Sequence, residues 1–158
     1  MAVVLVSMAV AVRAAAATST WNQASGNWDT TTSNWTGAAW VNGNDAVFGG
    51  TAGSTITITT SGISAASLTF NVNGDTIAGS VTNNLTLLGS VSLSVGTSLT
   101  ATLSAPVAGS VGLTKTGAGT LLLTAASNPF TGTTTVNGAF VKDLSSDREE
   151  RRKTAKSG

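Results

Sequence analysis

GLTKTGAGTLLLTAASNPFTGTTTVNGA (Gly112–Ala139) carries the pattern from which the architecture can be read. Leu121 and Leu123 alternate with Thr120, Leu122 and Thr124, and a period of two puts both leucines on one face of an extended strand. Leu113 opens a strand before them, and Thr134 with Val136 marks one after. Glycine separates these runs at Gly117, Gly119, Gly132 and Gly138, where tight corners need positive φ or a close backbone approach. Pro129 belongs in a turn, where its missing N–H costs no ladder bond. Leu121 and Leu123 are therefore expected to face inward, and Thr120, Leu122 and Thr124 outward or toward a corner.

The same device recurs upstream. Ile56 and Ile58 alternate with Thr55, Thr57 and Thr59, and Leu68 and Phe70 repeat the pattern. Leu85 with Leu87, then Val91, Leu93 and Val95, then Leu99, Ala101 and Leu103 continue it, and Ala46–Phe48 is a shorter example. Gly-rich breaks lie between these runs, and no 3.6-residue period appears before the tail. The chain reads as all-β. A sandwich would show long, well-separated hairpins and a richer aromatic core, whereas aromatics are 5% here. Similar strand–turn units with Thr and Ser outside and aliphatics inside favour a stacked coil, a β-solenoid in which each rung buries its face against its neighbours.

Composition narrows the function. The 158 residues include no Cys, His or Tyr, which removes thiol and imidazole chemistry, disulfides and the usual N/S zinc sites. Ten of the fifteen charged side chains lie in Val141–Gly158; between Ala14 and Phe140 only Asp29, Asp45, Asp75 and Lys115 occur. One lysine makes no basic surface for a phosphate backbone, so no nucleic acid partner is expected. No cofactor or metal is expected either.

The ends differ from the body. Met1–Val12 is apolar apart from Ser7 and is followed by Ala14–Ala17. It is too short to span a bilayer as a helix, and an A-x-A pattern at Ala15–Ala17 predicts a signal peptide over residues 1–17. All four tryptophans, Trp21, Trp28, Trp35 and Trp40, fall within residues 18–50. They suggest a cap that seals the open end of a coil; the alternative is a stacking platform for a glycan. The charged tail, residues 141–158, predicts a solvated segment or a short polar helix from Ser146 or Asp147.

Gly112–Ala139 also resembles the autotransporter-associated β-strand repeat. The matching residues are Leu113, Lys115, Gly117, Gly119, Thr120, Leu121, Leu123, Asn128, Phe130, Gly132, Thr134, Val136 and Gly138. Trp21–Gly50 is similar, more loosely, to the start of secreted proteins that carry this module. The resemblance implies a right-handed parallel β-helix over residues 51–140, in the passenger region of an exported surface protein. It also implies that a C-terminal membrane barrel normally follows; no alternating strands of that kind occur after Phe140, so the chain reads as a fragment without its translocator.

Three functions compete on these grounds. A non-enzymatic passenger or stalk module is preferred, and a carbohydrate-binding module using the four tryptophans is the alternative. A polysaccharide-degrading enzyme would need clustered acids around Lys115, and the only acids of the body precede it, at Asp75 and earlier. Lys115 is instead expected to be exposed and to discourage edge pairing. The expected partner is an unidentified surface molecule or glycan, with self-association through an exposed end of the coil.

Overall fold

A computed structural model describes residues 15–139 and 141–143. Thirteen short strands follow one another: β1 (Thr18–Trp21), β2 (Gly26–Trp28), β3 (Asp45–Phe48), β4 (Thr55–Ile58), β5 (Ile63–Phe70), β6 (Thr76–Ala78) and β7 (Leu85–Val95). Then come β8 (Thr100–Leu103), β9 (Val107–Ala108), β10 (Leu113–Thr116), β11 (Thr120–Leu123), β12 (Thr134–Val136) and β13 (Val141–Asp143). One sheet has the order β1-β3-β5-β7-β10-β12, with β9 beside β7; the other runs β2-β4-β6-β8-β11-β13. Pairing between these strands is parallel throughout. The chain passes from one sheet to the other and back, and each circuit adds a strand to both. This is the all-β solenoid.

Register turns the alternation of the sequence into interior columns. Ala46, Leu68, Leu93, Lys115 and Val136 follow one another across the first sheet. Trp21, Phe48, Phe70 and Val95 form a second column, in which Phe48 and Phe70 stack with centroids 4.7 Å apart. That distance is the ordinary spacing of neighbouring strands, so the rings stack because their strands do. Ile56, Ile77, Leu103 and Leu123 line the opposite sheet. Leu121 and Leu123 are buried, while Thr120, Leu122 and Thr124 are partly exposed, as the alternation requires. Outside, Asp45, Ser67, Ser92, Thr114 and Thr135 make a polar ladder, with the Ser67 hydroxyl donating to Asp45 Oδ1 at 2.6 Å.

Corners are held by two means. Gly117 (φ 72°) and Gly138 (φ 134°) adopt left-handed backbone, and a Cβ on Gly119 would collide with the carbonyls of Gly96 and Leu99. Asn and Asp side chains then tie one circuit to the next. Asn42 Oδ1 accepts from Ser64 N at 2.9 Å, Asn73 Oδ1 from Thr100 N at 2.8 Å, and Asn128 Oδ1 from Val107 N at 3.0 Å. Each satisfies a corner amide that the sheets leave over.

Several boundaries differ from the expectations. β1, β2 and β3 lie in the same sheets as everything after them, so no division falls at residue 51. β5 and β7 are longer than their apolar alternation suggests, because each continues around a register shift near Ala65 and Ser67. An irregularity of this kind bends a strand, and β9 pairs with the N-terminal part of β7. The coil also extends past Phe140: β13 pairs with β11, so residues 141–143 belong to a sheet and not to a solvated tail. The predicted signal peptide, apart from Ala15–Ala17, and the tail after Asp143 lie outside the described residues.

Candidate functional site

The tryptophan cluster was the first candidate for binding. Trp21 ends β1, Trp28 ends β2, and Trp35 and Trp40 sit on the loop between β2 and β3. All four rings are at most 2% exposed. Trp28 meets Trp35 edge-on at 4.9 Å and Trp40 at 5.0 Å, and Trp35 lies 4.6 Å from Trp40. Stacking on a saccharide needs an open ring face, and these faces are covered by one another and by Phe48. The glycan-platform reading of Trp21, Trp28, Trp35 and Trp40 is therefore corrected: the cluster is core. Among the described residues no strand precedes the first circuit, and the large rings fill its interior.

Backbone contacts add to this packing. Thr36 N donates to Thr20 O at 2.9 Å, and Thr20 N donates to the Thr36 hydroxyl at 3.0 Å. Both outward groups of Thr20 are thereby used. Trp40 Nε1 donates to Asn42 Oδ1 and Ser64 O, and Trp21 Nε1 to Ala24 O. The indole N–H groups of Trp28 and Trp35 are buried without an acceptor.

Lys115 was the second candidate, expected to be exposed. It is fully buried. The reason lies in the sequence Leu113-Thr114-Lys115: a period of two gives Lys115 the same face as Leu113, and Leu113 points inward. Its ammonium bends to the corner and donates to Thr116 O at 2.6 Å and Gly117 O at 2.9 Å. Burial lowers its pKa from that of an ordinary lysine. The acceptors are carbonyls of its own turn, which makes the amine a brace for the Gly117 corner.

The other residues of the repeat divide by position. Leu113, Leu121 and Leu123 are interior, and Phe130 packs against the core while partly exposed. Gly132 lies so close to Val111 and Gly112 that any side chain would collide with their backbone. Thr134 and Val136 stand on the exposed strand β12. Asp75, one of the three acids of the body, is buried, and the sequence assigned it no role. Its Oδ1 accepts from Ser54 N at 3.0 Å, and desolvation raises its pKa despite bonds from Ser54 and Gly53. The one available signal was its place at the start of Thr76–Ala78, two residues before the buried Ile77.

This geometry defines a class, a parallel β-solenoid. Residues 113–139 match the family model of the passenger-associated-transport-repeat. The Adhesin BmaC autotransporter of Brucella suis biovar 1 (strain 1330) is 36% identical to the chain over 162 residues, covering 90% of the chain and 4% of that protein. The chain thus spans a small part of the length of this curated relative. No solved structure is significantly similar.

Proposed function

We propose that this chain is a non-enzymatic structural module, a stalk segment in the passenger region of an exported cell-surface protein. The observation that carries the reading is the use made of the repeat residues. Leu113, Leu121 and Leu123 fill the coil, Gly117, Gly119, Gly132 and Gly138 make its corners, and Asn128 ties two circuits together. The lysine of the motif braces a turn with its amine instead of presenting it to a substrate. Every such residue extends or closes the coil, which suits a part whose task is to hold other parts away from the cell. The relative's name, adhesin, adds surface attachment as the setting.

The test is display. The chain is fused between a cleavable export signal and a translocating barrel, and its exposure is measured by antibody labelling and protease shaving of intact cells. Labelled, protease-resistant protein at the surface is expected, and Leu121→Asp should reduce it strongly. Retention of a folded chain inside the cell would overturn the passenger reading. Turnover of a polysaccharide by the purified chain would overturn the non-enzymatic one.

A further inference from the structure

We infer that the Lys115–Thr116 peptide bond is a fold-gated cleavage site for endoproteases that require a basic side chain before the bond they cut. Between Ala14 and Phe140, Lys115 is the one Lys or Arg, so within that stretch such an enzyme has a single bond to attack. Serine endoproteases of this class hold the basic side chain in an acidic pocket and stabilise the oxyanion formed on the attacked carbonyl. The step is hydrolysis. Water supplies the oxygen that bonds to the Lys115 carbonyl carbon, the C–N bond breaks, and the proton goes to the new amine of Thr116.

The folded chain withholds each requirement of that step. The Lys115 side chain is fully buried, and its ammonium is bonded past the scissile bond to Thr116 O at 2.6 Å and Gly117 O at 2.9 Å. The carbonyl to be attacked, Lys115 O, already accepts from Asn137 N at 2.8 Å, so it is not free for an oxyanion hole. β10 lies between β7 and β12, with Lys115 in register with Leu93 and Val136, and neither edge of the strand is open to an extended cleft. Nicking normally falls on exposed loop tips. The loop Ser80–Asn84, whose Val81 is 83% exposed, holds no basic residue.

Opening of β10–β12 removes all these barriers together. The ammonium leaves its turn, Lys115 O loses Asn137, and the strand can enter a protease cleft. The rate of cutting then follows the population of the opened form. The cut separates β11, β12 and β13 from the circuits before them. A chain with a loosened rung is divided, and a folded one stays whole. The gate operates whether or not the chain is displayed on a cell.

The experiment treats the full chain with trypsin and identifies the products by mass. In the wild type, residues 14–142 should stay joined. Val81→Arg puts a basic residue on an exposed loop and should be cut there more than about a hundredfold faster than at Lys115–Thr116, because the loop requires no opening of the sheets. Leu123→Asp should be cut at Lys115–Thr116. Adding Lys115→Met to it should abolish that cut, while chymotrypsin, which cuts after large apolar residues, still divides the double variant. Cleavage of the wild type at Lys115–Thr116 as fast as at position 81 of Val81→Arg would overturn the inference. So would a Leu123→Asp chain that chymotrypsin cuts within residues 116–139 and trypsin leaves joined at Lys115–Thr116.

Discussion

The N-terminal circuit buries four tryptophans and bonds Thr20 of its edge strand to its own loop, whereas among the described residues the circuit furthest from it exposes all three residues of β12. Between them, Leu, Ile, Val, Ala and Phe fill the interior. The difference shows how a stacked coil distributes its stability. A middle rung is covered on both sides, so modest aliphatic groups suffice. A terminal rung needs either much larger side chains or another partner. Among the described residues the tryptophan circuit uses the first solution, and β12 carries no large buried side chain.

Breaking the C-terminal circuits from inside should have the largest effect. Leu123→Asp replaces a buried leucine in the column of Ile56, Ile77 and Leu103 with a charge. It loses about 1.5–3 kcal/mol of apolar burial, and an unpaired buried ion costs several more. We expect β10–β13 to unfold while the tryptophan end persists. Hydrogen exchange would then show lost protection after about residue 112 and retained protection around Phe48. Uniform loss over the whole chain would mean that the two ends do not behave separately.

The tryptophan circuit comes next. Trp28→Ala removes a fully buried ring packed on Trp35, Trp40 and Phe48. It should cost about 3–5 kcal/mol in denaturant unfolding. Val136→Ala on β12 should stay within about 0.5 kcal/mol. Equal costs at the two positions would contradict the asymmetry.

The architecture was legible because period-two alternation and glycine breaks are local signals. Leu121, Leu123 and the Gly117 corner needed nothing beyond the sequence. Lys115 and the tryptophans were harder for opposite reasons. Lysine is seldom buried, so its residue type outweighed its place in the alternation, although Leu113-x-Lys115 already assigned its face. The tryptophans suggest either a core or a binding face until the loop that covers them is placed, and Trp35 reaches Trp21 through tertiary contact alone. β6 and β9 carry too few apolar residues to announce themselves; their neighbours in the stack define them.

Lys115→Met sharpens the comparison from the middle of the coil. A thioether of similar length fits the column of Leu68 and Leu93 without a desolvated charge, and the freed carbonyls at the partly exposed Gly117 corner can take up water. The variant should be more stable at neutral pH by about 1 kcal/mol, the scale of a net hydrogen-bond term. The lysine pKa is lowered by burial, so between that value and the ordinary 10.5 the unfolded chain binds more protons than the folded one. Wild-type stability therefore rises with pH across that window, and the advantage of Lys115→Met should shrink there. A constant difference from pH 7 to 10.5 would show that the amine is not desolvated as its burial requires.

A small stabilisation is expected at Asp75, which follows β5 and bonds back to Ser54 before β4. Asn42, Asn73 and Asn128 accept corner amides through neutral oxygens, and Asp75 makes the same bond to Ser54 with a carboxylate. Asn can accept that bond equally well, so Asp75→Asn removes a buried charge and keeps the tie. Desolvation raises the pKa of Asp75 above 3.8, so the folded chain holds its proton at pH values where the unfolded chain has lost it. The stability this group contributes is present below the unfolded pKa and declines as pH rises through the raised folded value. Asp75→Asn should match the wild type near pH 3.5 and exceed it at pH 7, by about 1 kcal/mol or less, the scale of one hydrogen bond. Asp75→Ala leaves Ser54 N without its acceptor and should be less stable than Asp75→Asn at both pH values. If Asp75→Asn instead falls below the wild type at neutral pH, the carboxylate holds the corner better than an amide can, and the favourable bonds from Ser54 and Gly53 outweigh the desolvation.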